Sequence, residues 1–341
     1  MRPDIEQLNR TLMKEKAAYI PLAELGIHPV IKQKFLHRSI VTLQDEIAFW
    51  HQAGYDYIKL QPGADFHPTA SGLDGKATFN DDGTISRKWA TAGKGVITNF
   101  DEFERFAFPE KSTIDYSRFE RIGPLLPEGM GVIGQYGDIF TLVWELMGFE
   151  EFSLALFMNP ALIRAMFDKI GGLIFSMFEY FAQNDRVDIL WYSDDIAFAG
   201  GLLISPDALR QYFFPWLNKI GELAKTYDKP FIYHTDGVLF EVFDDIIACG
   251  VNAIHPIEPK AMDIVEVKER IGDRLALIGN IDVDLLARGT QDEVRRQVIK
   301  NIEDVGQDGG YCVGSGNSVP EYVKFENYLA MIRTVKEISS G

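Results

Sequence analysis

Short apolar runs, bounded by glycine or polar residues, recur along the chain and alternate with amphipathic segments. That alternation predicts strands and helices in turn. Eight such runs occur, at residues 18–22, 55–60, 131–136, 188–192, 230–233, 251–254, 275–278 and 310–313. Several are apolar throughout, as expected of parallel strands covered on both faces. Helical patterns fill the intervals. Glu46-Ile47-Ala48-Phe49-Trp50 leads into the second run, and Ser205-Pro206-Asp207 carries a capping serine with proline in the first turn. Asp263 through Arg270 alternates charge, with Ile264, Val265, Val267 and Ile271 at helical spacing. Strand and helix repeated to a count of eight predict an α/β fold, a closed parallel (β/α)8 TIM barrel, as a single domain over residues 1–341.

Two segments interrupt the rhythm. Residues 77–89 hold Asp82-Gly83 between β-prone arms, which predicts a hairpin insertion near the barrel mouth. Residues 139–184 read as a helical insertion, broken near Gly148 and at Asn159-Pro160.

Composition adds limits. With 46% apolar residues in 341, the chain can bury one large core without disulfides or structural metals. A net charge of −16 repels phosphate backbones and anionic membranes, so no nucleic-acid or membrane partner is expected. The most apolar segment, around Gly172 to Phe178, meets Glu179 before it reaches bilayer length. The two cysteines, Cys249 and Cys312, both lie in apolar surroundings and read as small core residues. A reducing, cytoplasmic location is expected.

In a barrel of this kind the residues just after each strand share one pocket. Here they are polar: Gln61 after the second run, Gln135, Tyr136 and Asp138 after the third, and Tyr192 with Asp194-Asp195 after the fourth. Later strands contribute His234-Thr235-Asp236, His255 with Glu258, Asn280 with Asp282, and Ser315 with Asn317. Substrate contacts are expected from Gln61, Gln135, Tyr136, Tyr192, Asn280, Asp282, Ser315 and Asn317. His234 and Asp236 are two residues apart at a strand end, so both can lie on one face. They either share a metal ion, with Glu258 completing a nitrogen-and-oxygen set, or form a histidine oriented by a carboxylate. His255 reads as a core histidine bonded to a backbone carbonyl. Asp194 and Asp195 form either a pair in which one raised pKa makes a proton donor, or one of them caps the backbone amides that follow.

The chain resembles the uroporphyrinogen decarboxylase superfamily from about Pro21 onward. The resemblance rests on Asp194-Asp195 through Ser205-Pro206-Asp207 with Phe214-Pro215, on His234-Thr235-Asp236-Gly237, and on Gly279-Asn280-Ile281-Asp282 followed by Leu285-Leu286. Gly309-Gly310-Tyr311 and Glu326-Asn327 extend it. It implies a (β/α)8 barrel. True decarboxylases of the family carry an Arg-Gln-Ala-Gly-Arg segment that grips the substrate's carboxylates, whereas residues 19–26 here contain no arginine. The cobamide-dependent methyltransferase branch holds zinc with His-x-Cys and a later cysteine. His234 matches that histidine, Asp236 stands for the first cysteine, and Ser315 falls about where the second would be. The resemblance therefore implies zinc at His234, Asp236 and Glu258. Its implied reaction is methyl transfer from a small O-methyl substrate, such as an aryl methyl ether, to a corrinoid protein. A cofactor-free decarboxylase of another substrate is the alternative, with Asp194 or Asp195 as the acid.

Overall fold

The computed structural model describes residues 2–64 and 95–339. The expected hairpin at Asp82-Gly83 lies outside those residues. Among the described residues nine strands follow in chain order: β1 (Tyr57–Leu60), β2 (Gly131–Gly137), β3 (Ile189–Ser193), β4 (Ala197–Phe198), β5 (Gly201–Leu202), β6 (Phe231–His234), β7 (Ala253–His255), β8 (Ala276–Ile281) and β9 (Tyr311–Ser315). β4 and β5 pair as a small antiparallel ribbon, and the other seven form one parallel sheet in the order β1-β2-β3-β6-β7-β8-β9. Each long strand pairs with the next in sequence, so all their C-terminal ends emerge together.

Seven of the eight expected runs are strands of this sheet. The first, residues 18–22, differs. Leu22 makes an isolated parallel bridge to Val313. The Ala23 N–H donates to the Val313 carbonyl (2.9 Å) and the Val313 N–H to that of Pro21 (3.0 Å). Pro21 has no N–H to offer a ladder, which limits pairing there. Toward β1, the Tyr57 hydroxyl takes the ladder's place: it accepts from the Glu24 N–H and donates to the Glu24 carbonyl. Among the described residues the sheet thus comprises seven strands, with Leu22 bridging to β9 and Glu24 tied to β1 through Tyr57; they show the parallel α/β sheet and do not show the eighth strand as a ladder.

The residues of β3, β6, β8 and β9 are buried without exception, as in a parallel sheet covered on both faces. The helical stretch between β2 and β3 breaks where expected, into Ile139–Met147, Phe149–Met158 and Pro160–Gln183. Gly148 separates the first two at φ +79°, and the Asn159 side chain accepts the Leu162 N–H ahead of Pro160. In the last helix Leu162, Ile163, Met166, Phe167, Ile170, Leu173, Ile174, Met177, Phe178 and Phe181 are buried at three- and four-residue intervals. That stripe packs the helix onto the sheet. Where β2 and β3 leave the sheet they approach very closely: a Cβ on Gly137 would lie 1.6 Å from the Ser193 carbonyl oxygen. Only glycine permits that contact, and it brings the loops after the two strands together.

Candidate metal and substrate site

β3 ends at Ser193 and β6 at His234, and these two residues are partners in the parallel register. Asp194-Asp195 and Thr235-Asp236 therefore leave the sheet side by side. The His234 Nε2 lies 3.5 Å from the Asp195 Oδ1, which also accepts the Asp236 N–H at 3.0 Å. Asp195, His234 and Asp236 each turn one donor atom into a group whose members lie within 4.8 Å of one another. A separation of 3.5 Å is long for a hydrogen bond. It suits two ligands of a tetrahedral zinc, since bonds of about 2.0–2.2 Å place neighbouring donors roughly 3.3–3.5 Å apart. The Asp195 side chain is 32% exposed and that of His234 only 7%, so the group opens to solvent through its carboxylate side.

The supports of this cluster come from elsewhere in the chain. The His234 Nδ1 meets the His255 Nδ1 at 2.7 Å, and their strands pair in register at these two residues. His255 was expected to bond a backbone carbonyl, but its partner is this second ring. Burial, reinforced by the neighbouring His234 and Lys59, pushes the His255 pKa far down and keeps its ring neutral. Asn317 donates from Nδ2 to the Asp236 Oδ2. Glu258 is not in the cluster; its Oε2 accepts the Gly237 N–H at 3.0 Å. The second carboxylate beside His234 is thus Asp195, because the register of β3 on β6 brings it nearer than the loop after β7 brings Glu258.

Asp194, directly before Asp195, points elsewhere. Its carboxylate accepts the Phe140 N–H (2.6 Å), the Thr141 N–H (2.9 Å), the Thr141 hydroxyl (2.8 Å) and the Tyr192 hydroxyl (2.5 Å). Burial and the Asp138 carboxylate push its pKa up to about 7, and these donors pull against that rise. Each hydrogen-bond partner of the carboxylate is a donor, which favours its ionised form against burial and Asp138. Asp194 ties β3 to the first turn of the helix Ile139–Met147, and the amides it receives lie 53 and 54 residues before it rather than in the backbone that follows.

The remaining expected contacts divide. Gln61 donates to the Gln135 Oε1, and the Gln135 Nε2 donates to the Ser193 Oγ at 2.6 Å. Tyr136 is half-buried at the end of β2. Glu258, Asp282 and Asn317 line a cleft of about 360 Å³ together with Lys260 and Tyr322. Asp282 also caps the helix Val283–Arg288 through the Asp284 N–H. Three others turn away. The Tyr192 side chain is fully buried with its hydroxyl on Asp194. Asn280 donates to the Ile257 carbonyl at 2.6 Å. Ser315, at the position matched to the family's second cysteine, gives its hydroxyl to the Glu24 Oε2 at 2.7 Å. Both cysteines are buried, and burial pushes the Cys249 thiol up to about 12 and the Cys312 thiol higher still.

Two residues of this region carry more than their local sequence suggested. Glu24 is fully buried and receives both the N–H and the hydroxyl of Ser315. Burial pushes its carboxyl up to about 8. Lys59 sits within β1 and donates to the Gln135 Oε1 at 3.1 Å. A charge inside an otherwise apolar strand was the signal available for Lys59. No helix among the described residues is long and apolar enough to cross a membrane.

The family described as Uroporphyrinogen decarboxylase (URO-D) matches residues 96–338. A uroporphyrinogen decarboxylase from Pelodictyon phaeoclathratiforme is 27% identical over 221 residues, covering 62% of this chain and 60% of its own length. One from Pseudoalteromonas translucida is 24% identical over 79% of this chain and 80% of its own length. A methylcobamide:CoM methyltransferase, MtaA, from Methanosarcina barkeri is 25% identical, over 62% of this chain and 59% of its own length. Among solved structures, a methyltransferase from Methanosarcina mazei superposes with a TM-score of 0.72 at 17% identity, covering 97% of this chain and 98% of that one. That likeness establishes a shared fold. With the family match spanning most of its length, the chain belongs to the uroporphyrinogen decarboxylase (URO-D) family.

Proposed function

We propose that the protein is a methyltransferase that removes the methyl group of a small O-methyl compound, such as an aryl methyl ether, for a corrinoid carried by a partner protein. The observation that carries this reading is the convergence of Asp195, His234 and Asp236 at the sheet's C-terminal edge. Oxygen donors stand here where the methyltransferase branch uses thiolates. The methyltransferase relatives from two Methanosarcina species support the same branch.

His234, Asp195 and Asp236 would hold a zinc ion. One nitrogen and two carboxylate oxygens make a harder site than a thiolate set, and zinc so bound would serve as a Lewis acid toward an ether oxygen. The chain's own groups set up that site. His255, bonded Nδ1 to Nδ1, holds the His234 ring in place and would leave its Nε2 for the ion. Asn317 and the Asp236 N–H orient the two carboxylates. Asp194 anchors the loop that carries Asp195. Gln61, Gln135, Tyr136 and Asp282 remain the proposed substrate contacts, with Glu258 in the adjoining cleft. The described residues place neither thiol in the site, so the strong nucleophile an ether methyl demands would come from the partner's cobalt.

The test is to mix the protein with chemically reduced cobalamin and a panel of methoxylated aromatic compounds and follow methylcobalamin by its absorbance. Formation that depends on His234 supports the reading. The decarboxylase names among the relatives support a second reading, a cofactor-free carboxy-lyase acting on another substrate. In it, the exposed Asp195 rather than the encased Asp194 would supply the proton. Carbon dioxide release from a carboxylated compound, with no methylcobalamin from any donor, would select it.

A further inference from the structure

The inner side of β1, β2 and β3 holds more hydrogen-bond donors than acceptors. Lys59 is half-buried, and its ammonium group has three N–H donors. Among the described residues its hydrogen-bond partner is the Gln135 Oε1, and it forms no ion pair. That same oxygen also receives the Gln61 Nε2, while the Gln135 Nε2 is engaged with Ser193. One amide oxygen therefore serves two donor groups. Gln135 is the register partner of Trp191, whose indole Nε1 is buried with no hydrogen-bond partner among the described residues. The Trp191 ring stands edge-on to His255 at 5.1 Å, and the His255 Nε2 is likewise buried and unpartnered.

A half-buried ammonium with no carboxylate against it among the described residues is costly, and so is a buried indole N–H without an acceptor. What the described residues do not supply to these donors is a set of acceptor oxygens carrying negative charge. In a chain of net charge −16, with Asp195 and Asp236 at the neighbouring strand ends, an anionic compound needs a local cation to enter this side. We propose that Lys59, held by Gln135 beside Gln61, binds the carboxylate of an anionic substrate, so that the compound turned over is a small carboxylic acid rather than a neutral ether. This deepens the proposed function by naming the charge class of its substrate, and it concerns binding alone.

The groups whose fields reach Lys59 are Lys32, Glu46 and Arg118 from the outer helices, and Lys59 in turn acts on His255. Burial pushes its pKa down to about 7, so the free amine is mostly neutral at pH 8. An anion bound there draws a proton onto the amine.

The experiment is calorimetric titration of the purified protein at pH 8 with 4-methoxybenzoate and with its neutral methyl ester, in two buffers of different ionisation enthalpy. The expected result is preferential binding of the anion, with net proton uptake. Lys59→Met should weaken the anion about 10- to 100-fold and leave the ester unchanged. Lys59→Arg should keep the anion preference without the proton uptake, because arginine stays charged. Circular dichroism melting establishes that both variants fold. Equal binding of acid and ester by the unaltered protein, unchanged acid binding by Lys59→Met, or no binding of benzoate, 4-methoxybenzoate or acetate at 10-millimolar-order concentrations (roughly the weak-binding limit) would each overturn the proposal. Failure of methyl transfer with the Lys59-dependent anion preference intact would instead count against the proposed reaction.

Discussion

His234 and His255 face each other Nδ1 to Nδ1 at 2.7 Å across the pairing of β6 and β7. Two imidazoles at that distance share a single proton, so the tautomer of one sets that of the other. A zinc ion on the His234 Nε2 would require the His234 Nδ1 to be the donor and the His255 Nδ1 the acceptor.

Metal binding should follow this geometry. Purified protein is expected to carry about one zinc per chain, measured by plasma mass spectrometry. Substitution of His234, Asp195 or Asp236 by alanine should abolish it. Glu258→Ala should retain most of the metal, since its carboxylate serves the Gly237 amide. His255→Phe should weaken zinc by about 10- to 100-fold, the usual effect of losing a group that orients a ligand.

Asp194 should matter for stability more than for proton transfer. Asp194→Ala strands four donors, on Phe140, Thr141 and Tyr192, in a buried place. A loss of roughly 3 kcal/mol is expected in urea unfolding. A fully stable Asp194→Asn protein with a lost acidic limb in its pH–rate profile would point to proton donation instead.

Glu24 should make the protein less stable as pH rises. Burial raises its folded pKa to about 8, so the native state holds a proton that the unfolded chain releases near its ordinary value. Between about pH 4.5 and 8 each unit should cost up to about 1.4 kcal/mol from this group. Asp56, pushed by burial up to about 6, adds the same sign over the lower part of that window. Glu24→Gln should flatten the dependence between pH 6 and 8, measured by thermal melts at fixed ionic strength.

Uroporphyrinogen should not be a substrate. Residues 19–26 contain no arginine to meet its several carboxylates, and each missing charge-assisted contact forgoes about 1.5–3 kcal/mol. Chromatography of the porphyrins after incubation would expose any product with fewer carboxyl groups.

The sequence by itself determined what depends on near neighbours. Apolar runs placed seven strands to within a few residues, Gly148 and Asn159-Pro160 marked where the helices between β2 and β3 break, and both cysteines were read as core. Each rests on periodicity or on a cap whose partner lies within four positions. The tertiary structure decided the partners. Glu24 and Ser315 lie 291 residues apart and meet only because residues 21–23 run beside β9. Asp195 rather than Glu258 joins His234 because the register of β3 on β6 sets them level. Asp194 and Asp195 are adjacent and carry the same side chain, yet one is enclosed by the helix Ile139–Met147 and the other opens to solvent. Successive residues leaving a strand point to opposite sides. What each then meets is set by strands and helices far away in the chain, whose approach no local pattern records.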